Sequence, residues 1–281
     1  MSDQSSRPFV SGLPDFENPP VIETVLGVQF VPLDRFMVPH FGLYWQKIKQ
    51  EYDHFQVFPP LANVIEEFGS AIPSRLPQIS VELINAPELR CWFLDKSENN
   101  LIQVQRDRFI HNWKKVKGDE PYPHYENIRP KFKAQWLRFC EFLAEEGLGT
   151  PEINQCEIVY VNHIEFGGPI MSAADVPKLV RAWSATSSGD FLPKPEKVGL
   201  SASYVIKEKK GRLHISLQPV IRSRDAMEVL QLNLAARGRP ASSHIDDILE
   251  WLDLGREWIV RGFTDFTTPE MHQIWRRKHD R

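Results

Sequence analysis

The chain has 281 residues, of which 42% are hydrophobic and 25% are charged, and its formal net charge is −3. This composition is that of an ordinary globular protein, and the length is sufficient for one large domain or two small ones. A slightly acidic chain has no overall attraction to nucleic acids or anionic membranes, so either kind of binding would need a local basic patch. Three widely separated cysteines, Cys91, Cys140 and Cys156, predict reduced thiols and therefore a cytoplasmic protein.

The N-terminal stretch, residues 1–18, is polar, rich in serine and interrupted by proline. Such a composition predicts a flexible arm. The stretch lacks the basic and then apolar order of a secretion signal, and no later run approaches the roughly 20 apolar residues of a membrane span. We therefore expect a soluble protein with no membrane partner.

The first half of the chain predicts the element order β-α-β-β-β-α, with one additional short helix in a proline-rich connection. The strand segments are rich in β-branched and apolar residues between turn signals, whereas the helix segments carry apolar residues every three or four positions. The predicted strands are 21–30, 79–85, 90–96 and 101–115, and the predicted helices are 38–55, 61–68 and 125–146.

The second half predicts the same order again. Its predicted strands are 156–166, 198–208, 212–222 and 226–237, and its predicted helices are 175–183 and 242–266. Ser242 or Ser243 is the expected N-cap of the last helix. Glu23 and Glu157 occupy comparable positions in the first strands of the two halves. The predicted organisation is an arm at 1–18, a first repeat at 19–150 and a second repeat at 151–281.

Two such units predict an α+β fold, in which each unit buries one face of an antiparallel sheet against its long helix. Joined edge to edge, they would form a curved sheet backed by long helices on one side. This order of elements resembles the duplicated saddle of the TATA-box-binding-protein-like fold. The same elements also fit two helix-grip-like halves around a cavity, and the sequence leaves both arrangements open.

Several segments of the sequence resemble those of a sporadically distributed family of bacterial and archaeal proteins of similar length and uncharacterised function. The stretches are NPPVIETVLGVQF, DRFIHNWKK, YPHYENI and IVYVNHIEF. The resemblance implies a prokaryotic source and a stand-alone protein. It supplies no catalytic residues.

The stretch QVQRDRFIHNWKK, residues 103–115, combines basic, acidic, aromatic and amide side chains within one predicted strand. Strand alternation places Gln103 and Trp113 on one face and Arg108 on the other. Neither face is cleanly apolar. We therefore expect either a bulge that switches faces near Asp107 or a strand that leaves the sheet before Trp113.

Two interpretations of this stretch remain. In the first, it is a curved strand whose charges are solvated and whose Trp113 packs against the next helix. In the second, it is a basic rim that binds phosphate or carboxylate groups, with Trp113 or Tyr122 available for stacking. The second interpretation predicts exposed and converging charges on Arg106, Arg108 and Lys114.

A polar pair, Asn162 and His163, lies in a predicted strand that should be half-buried. It is either a hydrogen-bonded core pair or a ligand contact. Together with the basic stretch it completes the set of candidate binding residues. These are Arg106, Arg108, His111, Asn112, Trp113, Lys114, Lys115, Asn162 and His163.

Sequence motifs of the common enzyme classes are absent: there is no G-x-S-x-G, Walker loop, G-x-G-x-x-G or HExxH. The nine histidines do not have metal-ligand spacing. We predict no catalytic residue, no metal site and no cofactor. The sequence leaves the oligomeric state open.

Three functions fit the sequence. The leading one is a non-catalytic binding or adaptor protein that holds a protein partner through an exposed sheet face, the basic rim and the N-terminal arm. The second is a nucleic-acid or nucleotide binder that uses the rim. The third is a small-ligand pocket, or an enzyme of unknown class, between the sheet and the long helices.

Overall fold

The computed structural model describes residues 12–68, 88–184 and 191–278. Its strands are β1 (Asp15–Phe16), β2 (Val21–Phe30), β3 (His54–Phe58), β4 (Arg90–Leu94), β5 (Asn100–Gln105), β6 (Arg108–Lys114), β7 (Ile153–Glu165), β8 (Leu200–Ile206), β9 (Gly211–Ile221), β10 (Glu228–Gly238) and β11 (Arg277–Lys278). Its helices are α1 (Val38–Ile48), α2 (Tyr125–Glu145), α3 (Val176–Leu179), α4 (Ile245–Phe266) and α5 (Pro269–Ile274). Within these residues, no helix has both the length and the apolar character needed to cross a bilayer.

The centre of the molecule is an open antiparallel sheet of nine strands in the order β3-β4-β5-β6-β2-β7-β10-β9-β8. The strands β2 and β7, each the first main strand of its half, pair in the middle of this sheet. Each is bordered on its other side by the last strand of its own half, β6 or β10. The N-terminal β1 pairs instead with β11 near the C-terminus, so the end of the predicted arm is held by the other end of the chain.

The long helices α2 and α4 lie on the same face of the sheet, as the sequence predicts. Aromatic side chains of α2 pack on strand residues, with the rings of Phe139 and Phe109 stacked at 5.2 Å between centroids. Helix α4 packs on β7, β10 and β9. The two helices also contact each other, since Arg129 of α2 forms an ion pair of 2.8 Å with Asp253 of α4. The fold is therefore α+β, with one face of the sheet buried against helices.

The predicted single strand 101–115 is wrong, because the chain forms a hairpin there. The described part of the first half therefore has the order β-α-β-β-β-β-α, one strand more than predicted. Strands β5 and β6 are joined at Arg106 and Asp107, and Gln105 pairs with Arg108 in the register. Neither turn residue has a positive φ, so this turn required no glycine or asparagine to mark it in the sequence. The reversal places Gln103 and Gln105 on the same face as Arg108, which explains the mixed pattern of the stretch.

Three predicted helices also differ from the structure. Helix α1 ends at Ile48, and residues 54–58, which carry aromatic and β-branched side chains, pair with β4 as strand β3. Residues 61–68 are not helical. The predicted helix 175–183 is reduced to α3, with Val180 in a β-bridge to Thr267. The predicted strand 79–85 lies outside the described residues.

The N-cap of α4 is His244, and neither predicted serine occupies that position. The His244 side chain accepts a hydrogen bond from the Asp246 nitrogen. Ser243 is used elsewhere, because its hydroxyl accepts a hydrogen bond of 2.9 Å from the nitrogen of Ile153. This contact ties the loop before α4 to the start of β7.

Candidate functional site

The sheet has a second face, opposite the helices, which we call the distal face. In β6, Phe109 faces α2, so strand alternation turns its neighbour Arg108 to the distal face. The same alternation turns long polar side chains of β5, β2, β7 and β9 to this face. They are Gln105, Gln29, Gln155, Arg212 and His214.

Residues 61–68, which we call the strap, lie across the distal face. Three glutamines bind the strap through its main chain. Gln105 accepts a hydrogen bond of 3.0 Å from the Leu61 nitrogen and donates one of 3.1 Å to the Leu61 oxygen. Gln29 accepts a hydrogen bond of 3.2 Å from the Val64 nitrogen.

The third glutamine continues this pattern along the strap. Gln155 accepts a hydrogen bond of 2.9 Å from the Glu66 nitrogen and donates one to the Val64 oxygen. Arg108 donates a hydrogen bond of 2.9 Å to the Ala62 oxygen and one of 2.6 Å to Gln29. A primary amide offers the same donor and acceptor as a peptide group, so a row of glutamines can bind a main chain whatever its side chains are.

The C-terminal end of the strap is bound through side chains. Glu66 forms an ion pair of 2.6 Å with Arg212 and a contact of 2.6 Å with Nε2 of His214. Arg212 also donates a hydrogen bond of 2.7 Å to the Glu67 oxygen, and its guanidinium lies 4.3 Å from the centre of the Phe68 ring. Burial raises the pKa of the Glu66 carboxyl, but the hydrogen bonds from His214 and Arg212 outweigh burial and lower the pKa overall.

The predicted basic residues do not converge on one exposed surface. Arg108 is only 9% exposed, because it lies beneath the strap. Arg106 is in the hairpin turn, 3.5 Å from Asp34 and also 3.5 Å from Glu88. Lys114 lies 5.4 Å from the centre of the Trp92 ring. Lys115 follows the end of β6 and donates its backbone N–H to the Ile22 oxygen.

Three further predicted residues are buried in β6. His111 and Trp113 are on the helix face, where Trp113 contacts the Tyr122 ring at 5.6 Å between centroids. Asn112 is on the distal face and donates a hydrogen bond of 2.6 Å to Glu23. Burial raises the pKa of the Glu23 carboxyl, against the opposing effect of that hydrogen bond.

The polar pair of β7 is divided between the two faces of the sheet. Asn162 is buried on the helix face and donates a hydrogen bond of 3.0 Å to the Leu232 oxygen. His163 is on the distal face, with its Nε2 3.0 Å from the Gln231 amide oxygen. These two residues therefore do not belong to the same site as each other.

A small cavity of about 70 Å³ lies on the helix face, between the central strands and α4. Its polar groups include the hydroxyls of Tyr122 and Tyr160, which are 3.0 Å apart, together with Asn162 and Arg256. Phe16 of β1 closes part of the cavity and packs against Phe263 of α4. Asn162 is the one candidate binding residue from the sequence that lines this cavity.

The residues that bind the strap are not among the candidates predicted from the sequence: Gln29, Gln105, Gln155, Arg212 and His214. The available signal was a long polar side chain at an alternate position of an otherwise apolar strand, as in VLGVQF. Such a side chain must find partners when the strand is buried on both faces. The chain segment that supplies those partners is distant in the sequence.

Comparison with known proteins gives no assignment, since no protein-family model, no curated protein and no solved structure matches this chain. Within the ranges that the structure describes, no group of three or more His, Cys, Asp or Glu side chains is arranged to hold a metal ion. Function therefore has to be inferred from the geometry of the chain itself.

Proposed function

We propose that the protein is a non-catalytic polypeptide-binding or adaptor protein of a prokaryotic cytoplasm, whose distal face binds an extended segment of a partner protein. One observation carries the proposal: the strap is held on this face by a row of glutamine side chains that bind its main chain. The prokaryotic source rests on the family resemblance of the sequence.

Binding to a nucleic acid has less support. Phosphate recognition needs cationic side chains that are free to contact the ligand. On the distal face, Arg212 is paired with Glu66, Arg237 is paired with Glu157, and Arg108 is bound to Gln29 and a strap carbonyl. Nucleic-acid binding that weakens steeply with salt would favour this alternative.

The proposal extends to the architecture: residues 19–150 and 151–281 would be two copies of one unit that form a saddle. The register supports a duplication, because Glu23 of β2 is opposite Lys114 and Glu157 of β7 is opposite Arg237. These acid–base pairs occupy corresponding strands of the two halves. In a saddle, the distal face would be the concave side, where an extended segment can contact several strands at once.

The test uses a variant in which residues 61–68 are replaced by a Gly-Ser segment of equal length, so that the distal face is open. A labelled peptide of the strap sequence, LANVIEEF, is titrated into this variant and into the unchanged protein. We expect the variant to bind the peptide at least tenfold more tightly, since the unchanged protein already holds a strap at high local concentration. Urea unfolding checks that the variant is folded.

N-methylated peptides test whether the main chain is recognised. Methylation of the nitrogens of Val64 and Glu66 removes two donors to Gln29 and Gln155, and we expect about a tenfold loss of affinity. Methylation at Ile65 is the matched control, because its N–H donates no hydrogen bond to any described residue. A folded strap-replaced variant that does not bind the peptide would overturn the proposal.

The cavity between the central strands and α4 supports a second candidate function, binding of a small ligand. Its apolar walls and convergent polar groups are typical of ligand sites, but those sites are usually about 300 to 1,000 Å³ in volume. At about 70 Å³ the cavity would have to widen, for example by movement of Phe16. Ligand-observed NMR with small phenols and carboxylates tests this function, with Asn162→Leu as the variant expected to lose binding.

A further inference from the structure

We propose that the partner segment carries a glutamate followed two positions later by an aromatic residue, and that it binds by displacing the strap from Arg212 and His214. This inference rests on the proposed function. It identifies the class of sequence that the distal face selects.

The part of the strap before Glu66 cannot make the distal face selective for one sequence over another. Between Leu61 and Glu66 the sheet holds the main chain, and the side chains of Val64 and Ile65 are 40% and 53% exposed. Any extended segment could make those main-chain hydrogen bonds. In contrast, the Glu66 side chain is only 7% exposed, because it is enclosed by two cationic or polar partners.

Arg212 determines the spacing between the glutamate and the aromatic residue in the bound segment. One end of its guanidinium forms an ion pair with Glu66, the other donates to the Glu67 oxygen, and its plane covers the Phe68 ring. These three contacts require a carboxylate at one position, a free carbonyl at the next and an aromatic ring at the one after. A bidentate, stacking guanidinium meets these requirements, whereas a lysine ammonium does not.

His214 is the second residue, with Arg212, that contacts the Glu66 carboxylate, and the two side chains form the pocket for it. It lies two residues beyond Arg212 on the same face of β9, and its Nε2 is 2.6 Å from the Glu66 carboxylate. Its other ring nitrogen, Nδ1, is 2.9 Å from the Ser203 hydroxyl of β8. The hydroxyl fixes the ring orientation, so the pocket is formed by the sheet before any particular segment binds.

The strap is therefore a ligand supplied by the chain itself. Because it is tethered close to its site, its effective concentration exceeds that of a partner free in solution. A partner segment must match or improve on the Glu66 and Phe68 contacts to compete. The side chains of Arg212 and His214 remain 25% and 32% exposed, which leaves this end of the strap accessible to a competitor.

The experiment measures binding of labelled LANVIEEF peptides to the full chain carrying Glu66→Gln and Phe68→Ala. This variant keeps the main chain of the strap and weakens its side-chain contacts. We expect the variant to bind the peptide about tenfold more tightly than the unchanged protein. In the peptide, glutamine in place of Glu66, or alanine in place of Phe68, should each reduce affinity about tenfold. Serine in place of Val64, an exposed position, should change affinity less than about twofold.

Arg212→Lys is introduced together with the two strap substitutions. It keeps the positive charge at the site and removes the planar guanidinium that contacts Glu66 and Phe68 at once. We expect it to remove the preference for phenylalanine in the peptide. Equal affinity for the acidic, glutamine and alanine peptides would overturn the inference and leave the proposed main-chain binding intact. Absence of binding by every peptide, to this variant and to the strap-replaced variant, would overturn both proposals.

Discussion

His111 shows how burial fixes the state of one titratable residue. Its side chain is fully buried on the helix face of β6, and neither ring nitrogen has a hydrogen-bond partner within the described part of the chain. Burial lowers the pKa of the ring to about 3, with a further small decrease from Lys131. The folded protein therefore holds a neutral imidazole across most of the acidic range.

A pH dependence of stability follows. Between the ordinary histidine pKa of 6.5 and the folded pKa of about 3, the unfolded chain binds a proton at His111 that the folded chain does not. Stability from this group is therefore complete above pH 6.5 and is lost as the pH falls. We expect the loss between pH 7 and pH 5 to be about 2 kcal/mol larger in the unchanged protein than in His111→Leu.

Urea unfolding at pH 7 and pH 5 gives the free energies of unfolding of both proteins. His111→Leu should be at least as stable as the unchanged protein at pH 7, because it removes buried polar atoms without partners. If both proteins lose the same free energy on acidification, His111 is not held neutral in the fold, and the assignment of its burial is wrong.

Elements of the fold differ in how well the sequence predicts them. Strand β7 alternates buried and half-buried residues over nearly its whole length, and this pattern is visible in IVYVNHIEF. Half of the residues of the strap, LANVIEEF, are good helix formers, but Gln29, Gln105 and Gln155 bind its main chain and the strap is not helical. Those glutamines lie 35 to 89 residues away from the strap nitrogens that they bind. A local pattern therefore cannot reveal them, and tertiary contacts override the local preference.

The candidate site was predicted only in part for the same reason. Arg108 and Asn112 do lie on the distal face, but Arg108 is used to hold the strap and Asn112 to bind Glu23. The strongest side-chain contacts of the strap come from Arg212 and His214, in the other half of the chain. No spacing in the sequence links these residues to Glu66.

Two helical glycines make a matched test of how closely each helix packs. At Gly255 of α4, an added Cβ would be 2.6 Å from a methyl group of Ile158 and 3.3 Å from the Ala236 Cβ. At Gly42 of α1, an added Cβ would have no atom of the described residues within 4 Å, apart from its chain neighbours and the backbone of its own helix. The glycine in α4 is therefore required by close packing on the sheet, whereas the glycine in α1 is not.

We expect Gly255→Ala to lower the free energy of unfolding by about 1 to 3 kcal/mol, since overpacking forces the helix away from β7 and β10. Gly42→Ala should raise it by about 0.5 to 1 kcal/mol, because alanine is the better helix former at an open position. Chemical denaturation of both variants provides the measurement. The same change in both would contradict the close approach of α4 to the sheet.

On the scale of the whole molecule, the two halves are joined in two layers. In the sheet, β2 pairs with β7. In the helix layer, Asp253 of α4 accepts two hydrogen bonds of 2.8 Å from Arg129 of α2 and one of 2.8 Å from the Tyr125 hydroxyl. Burial, with the nearby Asp253 carboxylate, raises the pKa of Tyr125, so its hydroxyl stays protonated and remains a donor.

Asp253→Asn tests how much this junction contributes to the stability of the whole chain. The amide is uncharged, and its NH2 group replaces one of the two carboxylate oxygens that accept from Arg129 and Tyr125, so at least one of the three hydrogen bonds is lost. We therefore expect a loss of about 1.5 to 3 kcal/mol in the free energy of unfolding. Asp246→Asn in the first turn of α4 is the matched control, because its ion pair with Lys133 is 3.9 Å long and its side chain is 73% exposed. We expect that control to change stability by less than about 0.5 kcal/mol. If the two variants were equally stable in urea denaturation, the contact between α2 and α4 would contribute nothing measurable, and the sheet pairing of β2 with β7 would hold the halves together.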